Sequence, residues 1–548
     1  MGKAGLGTVV MPQFLISCGS TATPTNAFGN ISKERLNALK AFALQGVAAT
    51  DQDDLVLANG LDYHTIVKWG DKISDTDTFG FNNDFTCFIP FDDNNPKDGL
   101  LWVNHEYINP FFVSNYSSSK ENEQPKTKEQ VDKEMYNVGG SIVRIKEENG
   151  TWKIVENDSH NRRITAKTPI KLNWDFPVKG ASTVFGTNSN CSGGITPWKT
   201  FITCEENYDG CFGETEYDES NTATHRPSYY GWEKFYNYPP EHYGWVVEVD
   251  PKSGTAQKHI ALGRFAHECC TLYELEDKRV VAYTADDKND EHLYKFISSK
   301  PGSLKEGTLY VADTVNGKWL ALDWENQPIL KTKFKDQTEV LIRAREAAKL
   351  LGATALNRPE DIEIDPITGN IFITLTNNKP KGDFHGSILK VEENNGAFDA
   401  LSFNAETYLA GGDENGFSCP DNLAFDMSGN LWMTSDMSGS SMNREDKPYM
   451  AFKNNSLFVI PRLGNDAGKV IRVVSAPVDA ELTGPWFSPD GKTLFLSVQH
   501  PGEQTKDIKQ PTSTWPFDAD KIPKPAVVAI TGDLIEKMNL LNRIEVTS

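Results

Sequence analysis

Asp250-Pro-Lys-Ser-Gly254 and Asp365-Pro-Ile-Thr-Gly369 are near-copies of one pentapeptide, and Asp426-Met-Ser-Gly429 and Ser488-Pro-Asp490-Gly491 are variants of it. Each reads as a tight turn, in which Asp bonds its own backbone and Gly supplies a positive φ. Gly369, Gly429 and Gly491 recur at intervals of 60 and 62 residues, and the 115 residues from Gly254 to Gly369 make about two such periods. Alternating strands flank the turns. One type comprises Gly140-Ser-Ile-Val-Arg-Ile, Gly244-Trp-Val-Val-Glu-Val, His292-Leu-Tyr-Lys-Phe-Ile, Gly386-Ser-Ile-Leu-Lys-Val and Ser456-Leu-Phe-Val-Ile. The other follows the turns: Ile371-Phe-Ile-Thr-Leu-Thr, Leu431-Trp-Met-Thr-Ser and Leu494-Phe-Leu-Ser-Val. Several short period-two strands per repeat of about 60 residues predict an all-β chain, a β-propeller of five to seven blades with loop and short helical insertions. An array of β-sandwiches is the structural rival.

The composition agrees. Of 548 residues 38% are apolar and 24% charged, which is ordinary globular material. With 55 Lys and Arg against 76 Asp and Glu the formal charge is −21, so no nucleic-acid scaffold role is expected. No apolar run reaches the ~18 to 20 residues of a membrane span. Residues 1–25 read as an export segment, whose Leu15-Ile-Ser-Cys18 resembles a bacterial lipobox, so a lipid anchor through Cys18 and a periplasmic or cell-surface lipoprotein are expected. No Arg-Arg pair is visible within residues 1–25. Residues 26–548 are expected to form a single, monomeric propeller domain, with insertions near 115–135 and 206–243 and one helix over 339–351. If Cys18 is acylated, the remaining seven of the eight cysteines are odd in number, and at least one is free, blocked or a metal ligand.

Short polar clusters sit at the ends of apolar strands, and in a propeller such ends converge on the axis. They are Asn104-His-Glu106; Asn190-Cys191-Ser-Gly-Gly194; Cys204-Glu-Glu206; His267-Glu268; Asp286-Asp287; Asn357-Arg358-Pro-Glu360-Asp361; Cys419-Pro-Asp421-Asn422; and Glu481. The third-last and next-to-last align as Pro-[Glu/Asp]-[Asp/Asn], 61 residues apart in successive blades. In Cys204-Glu-Glu206 only one carboxylate is expected to point inward. Cys191 suits a thiolate ligand, a nucleophile or a small buried side chain. Five or more converging carboxylates repel one another unless cations neutralise them. Oxygen donors suit Ca²⁺, and a thiolate suits a softer ion such as iron. Arg358, the lone cation of the set, is placed to bind an anion bidentately.

Together these motifs resemble the PhoX-type alkaline phosphatases, over about residues 60 to 505. The resemblance implies a six-bladed propeller hydrolysing phosphate monoesters, with two Fe³⁺, several Ca²⁺ and a bridging oxo or hydroxide at its axis. It implies that Cys191 is an iron ligand, that Glu106, Glu206, Glu268, Asp287 and Glu360 share iron and calcium, and that Asn104 and Arg358 hold phosphate or its calcium. Asp421 is the expected later ligand, with Glu481 behind it. Two other readings are a calcium-dependent propeller hydrolase of the lactonase or phytase kind, in which Cys191 would be idle, and a non-enzymatic surface-binding propeller.

Overall fold

The computed structural model describes residues 44–117 and 124–538, and the lipobox-like segment with Cys18 lies outside them. Six mainly antiparallel sheets succeed one another along the chain, the first five built mainly of four strands in chain order and the sixth of three joined by one early strand. Their innermost strands are Asn83–Asp92, Asn190–Ile195, His267–Glu274, Pro359–Ile364, Pro420–Phe425 and Glu481–Phe487. The chain is therefore a six-bladed propeller, blades one to six in that order. Two early segments close the ring. Asp62–Lys68 pairs with Ala526–Thr531 as the outermost strand of blade six, and Val56–Leu57 extends the edge of blade five.

Strand pleat explains why these sequences bury apolar residues on both faces. Alternate side chains of one strand enter the layers on its two sides. In Asn95–His105, Leu101 and Val103 join Phe88, Trp152, Phe495 and Val527 between blades one and six, whereas Leu100 and Trp102 face blade two. Each such buried side chain contributes roughly 1.5–3 kcal/mol. The core is thus a ring of inter-blade layers, which leaves the axis to polar strand ends.

All five quoted strands of the first type are third strands of blades, and all three of the second type are second strands. Two expectations change. The Asp250–Gly254 turn joins the third and fourth strands of blade two, not the first and second as the other turns do, so its spacing to Gly369 is not a whole number of blades. The helix over 339–351 is two helices, Gln337–Ile342 and Ala344–Leu351, broken at Arg343 (φ −113°, ψ 41°). Arg343 is buried, and its guanidinium is drawn between Glu339, Glu346 and Asn221. The segments after Glu106 and Glu206 leave from the axial ends of second strands. They pack together through Ile108, Val131, Met135, Phe212, Trp232 and Tyr243, walling one side of the axis.

Candidate metal centre

The inner strands deliver their side chains to the axis by a repeated backbone device. In blades one to five the pairing register slips at the start of the inner strand, skipping Asp84-Phe85, Cys191-Ser192, Glu268-Cys269, Glu360-Asp361 and Asp421-Asn422. A bulge re-aims the side chain it carries. Two residues upstream, Asn82, Ser189, Arg358 and Cys419 each hold φ between 43° and 54°, and Asp479 stands likewise before Glu481. None is glycine, so the left-handed turn is strained at every one of these positions. Blade three, with Ala266 before Glu268, is the exception. Asp84, Cys191, Glu268, Glu360, Asp421 and Glu481 thus form one ring. The residues that directly follow second strands add Glu106, Glu206, Asp287 and Asp436.

Cys191 is the junction. Its Sγ lies 3.0 Å from Glu268 Oε1 and 3.4 Å from Asp84 Oδ2. Asp84, Glu106 and Cys191 offer ligand atoms all within 4.8 Å of one another, and so do Cys191, Glu206 and Glu268. Two triads sharing one sulfur can hold two ions side by side. Gln499 Nε2 braces the first triad, donating to Glu106 (2.8 Å) and Asp84 (3.2 Å). On the far side Arg358 donates Nε and Nη2 to the two oxygens of Asp287, each at 2.8 Å, and Nη2 lies 2.7 Å from Glu360. Arg358, among the described residues the single guanidinium paired with ring carboxylates, is therefore engaged by them rather than standing open to an anion.

Burial dominates the electrostatics. It pushes Asp84 up to about 8, with the Asp421 charge adding to it, and Glu106 to about 8, with Asp84 adding to it. Asp421 is raised to about 7 by burial and by Asp436. Burial and like-charged neighbours hold Glu206, Glu268, Glu360 and Glu481 well above the usual carboxylate range, and the Cys191 thiol likewise. Burial is the largest influence on Asp287 too, but Arg358, with Glu206 and Lys288, more than offsets it and holds this carboxyl below its usual value. With only protein groups to balance it, the ring retains protons; cations of high charge would displace them.

The donor set fits metal. Glu360 Oε2, Asn188 Nδ2 and both polar atoms of the Asn82 amide are buried without a hydrogen-bond partner. Hard oxygens around one sulfur suit a hard cation and a transition ion together.

Asn104 departs from its expected role. Its Oδ1 accepts from Trp102 Nε1 (2.6 Å) and Thr203 Oγ1 (2.7 Å), and its Nδ2 donates to the carbonyls of Cys191 (2.5 Å) and Ser192 (3.0 Å). Every hydrogen-bonding position is engaged by protein, so Asn104 fixes the Cys191 bulge and has nothing left for phosphate. The Pro-[Glu/Asp]-[Asp/Asn] pair also divides. Glu360 and Asp421 reach the ring, while Asp361 accepts from Leu423 N (2.8 Å) and Asn422 from Gly484 N (2.7 Å), each stitching its blade to the next. Gly484 is required there: a Cβ would lie 2.6 Å from the backbone of Phe85 and Thr86. In Cys204-Glu-Glu206 it is Glu206 that points inward, and Glu205 pairs in the core with Lys258 at 2.7 Å.

Asp84, Asn82 and Asp436 belong to this centre and were not singled out from the sequence. Asn82-Asn83-Asp84 opens the apolar Phe85-Thr-Cys-Phe-Ile run just as the other ligands open theirs, and Asp436 stands one residue beyond the Leu431–Ser435 strand. The signal was the repeat itself, carried back to the first blade.

No curated protein sequence matches the chain. Among solved structures, Pseudomonas fluorescens PhoX in complex with vanadate, a transition state analogue, is 28% identical, with a TM-score of 0.78 over 89% of this chain and 98% of that one. A protein of unknown function from Dyadobacter fermentans is 9% identical over 86% of this chain and 100% of its own, at a TM-score of 0.37. A putative 6-phosphogluconolactonase from Bacteroides fragilis is 11% identical over 82% and 89%, at 0.29. The family model for alkaline phosphatase PhoX matches residues 42–502, more than four-fifths of the sequence, and the chain belongs to that family.

Proposed function

We propose that this protein hydrolyses phosphate monoesters at the axial ring. The observation that carries the reading is the pair of triads sharing Cys191, set beside the Arg358 guanidinium. The vanadate held by the Pseudomonas relative supports it, because vanadate mimics a phosphorus centre under attack. Asp84, Glu106, Cys191, Glu206 and Glu268 would hold two ferric ions, and Asp287, Glu360, Asp421 and Glu481 would hold calcium. The bound ions would supply Lewis acidity and countercharge for attack of a water-derived oxygen on phosphorus.

The chain's own residues do the rest. Arg358, a quarter exposed, presents a planar fork to two equatorial phosphate oxygens once Asp287 and Glu360 are engaged elsewhere. The Asn82 amide, two residues before Asp84, is buried and unpartnered and would be free to serve a bound ion or a phosphate oxygen. Asn104 fixes the Cys191 backbone and Gln499 bridges Asp84 and Glu106, which would hold the first triad together against its mutual repulsion. The wall formed by the segments after Glu106 and Glu206 limits water on one side, which strengthens each of these interactions. Replacing Cys191 by Ala or Glu206 by Gln is expected to abolish hydrolysis of p-nitrophenyl phosphate while circular dichroism stays native. Near-normal turnover in both variants refutes the reading.

Export as a lipoprotein through Cys18 belongs to this proposal, resting on the lipobox-like Leu15-Ile-Ser-Cys18 of residues 1–25. Its test is labelling with a palmitate analogue, lost in Cys18→Ala.

A further inference from the structure

The mouth of the centre holds a second cation besides Arg358. Lys288 follows Asp287 directly and is partly exposed. Its ammonium donates to Asn207 Oδ1 at 2.8 Å, and Asn207 Nδ2 donates onward to Glu206 Oε2 at 2.5 Å. Arg358 is taken by Asp287 and Glu360, and Arg345 grips Asp286 through two bonds of 2.6 and 2.7 Å. Lys288 is different: among the described residues no carboxylate lies in ion-pair contact with it, and its partner is a neutral amide. An ammonium has three N–H donors, so two remain for something else. Adjacency to Asp287 in the chain and the shared Asn207 amide, which touches Glu206, place it beside the ring. A lysine on a flexible stem, anchored by one amide next to a phosphoryl site, is suited to a point charge beyond the scissile phosphate.

We propose that Lys288 is a specificity-determining residue that binds negative charge on the leaving group, so that the protein prefers phosphomonoesters whose alcohol portion is itself anionic. The proposal rests on the phosphatase reading above. Asn207 keeps the ammonium at the mouth, and an anionic leaving group takes the two remaining N–H donors.

The test compares 3-phosphoglycerate with glycerol 3-phosphate, whose leaving groups differ by one carboxylate. In Lys288→Met the ratio of kcat/KM for the two esters is expected to fall tenfold or more in favour of the neutral one, and Lys288→Arg is expected to restore most of it. A residue that only positions Glu206 through Asn207 would lower both esters alike. A ratio that stays within a factor of two in Lys288→Met overturns the proposal. If the wild-type protein turns over neither ester, the phosphatase reading fails by itself. The Lys288 proposal is then decided by calorimetric affinities of the same two compounds for the metal-loaded protein, with the same tenfold change expected and the same twofold limit overturning it.

Discussion

Stripping the metal should make the protein's stability fall as pH rises. In the unfolded chain Asp and Glu titrate near 4, whereas in the folded centre burial raises Asp361 to about 6, Asp421 to about 7, and Asp84 and Glu106 to about 8. A carboxyl whose folded pKa is raised binds its proton more tightly when folded. Its stabilising contribution is complete below pH 4 and is lost as pH climbs through the folded value. Each unit of separation is worth about 1.4 kcal/mol, and the four groups share protons, so their contributions do not simply add. A loss on the order of 4 kcal/mol between pH 5 and pH 9 is expected. At about 2 cal/mol/K of unfolding entropy per residue, that is a fall in Tm of about 4 °C for a chain this long. The assay is differential scanning fluorimetry across that range, with EGTA and an iron chelator and without them. The metal-loaded protein is expected to hold its Tm through this window, because the cations take the place of the protons. A chelated protein whose Tm stays level or rises from pH 5 to pH 9 would refute the electrostatic reasoning.

Two further substitutions test the scaffold. Asn104→Ala strands Trp102 Nε1 and the carbonyls of Cys191 and Ser192 in a dry interior, at about 1–3 kcal/mol for each of the three groups left unpaired, so a stability loss of roughly 3 kcal/mol or more in urea is expected together with weakened iron retention. Lys258→Met leaves the fully buried Glu205 without its cation, and breaking such a pair costs about 3–5 kcal/mol; the same titration should show it, with p-nitrophenyl phosphatase kcat per folded molecule little changed.

The blades were readable because their signals are local. A turn needs its Gly and Asp at fixed offsets, and second and third strands are buried on both faces, so their apolar runs stand out. The inner strands were harder. Their polar openings, such as Asn82-Asn83-Asp84, look like solvated turns unless the register of the other blades is imposed on them. Asn104 was assigned to the right place but not to the right task. Sequence shows that an amide stands at a strand end, but not that Trp102, Thr203 and two carbonyls from the next blade will occupy it. Arg358 shows the same limit, since its engagement by Asp287 and Glu360 joins residues 71 positions apart and two positions apart. The break at Arg343 lay beyond helix propensity, because a buried three-partner guanidinium overrides it.

The claim beneath the whole account is that the axial acids coexist because cations lie among them. Its most direct test is elemental analysis of protein purified without chelator, paired with p-nitrophenyl phosphate hydrolysis before and after EGTA and an iron chelator. Iron and calcium are expected at one or more ions of each per chain, with activity lost on chelation and regained when both metals are returned. Protein that is free of iron and calcium and still fully active would contradict it.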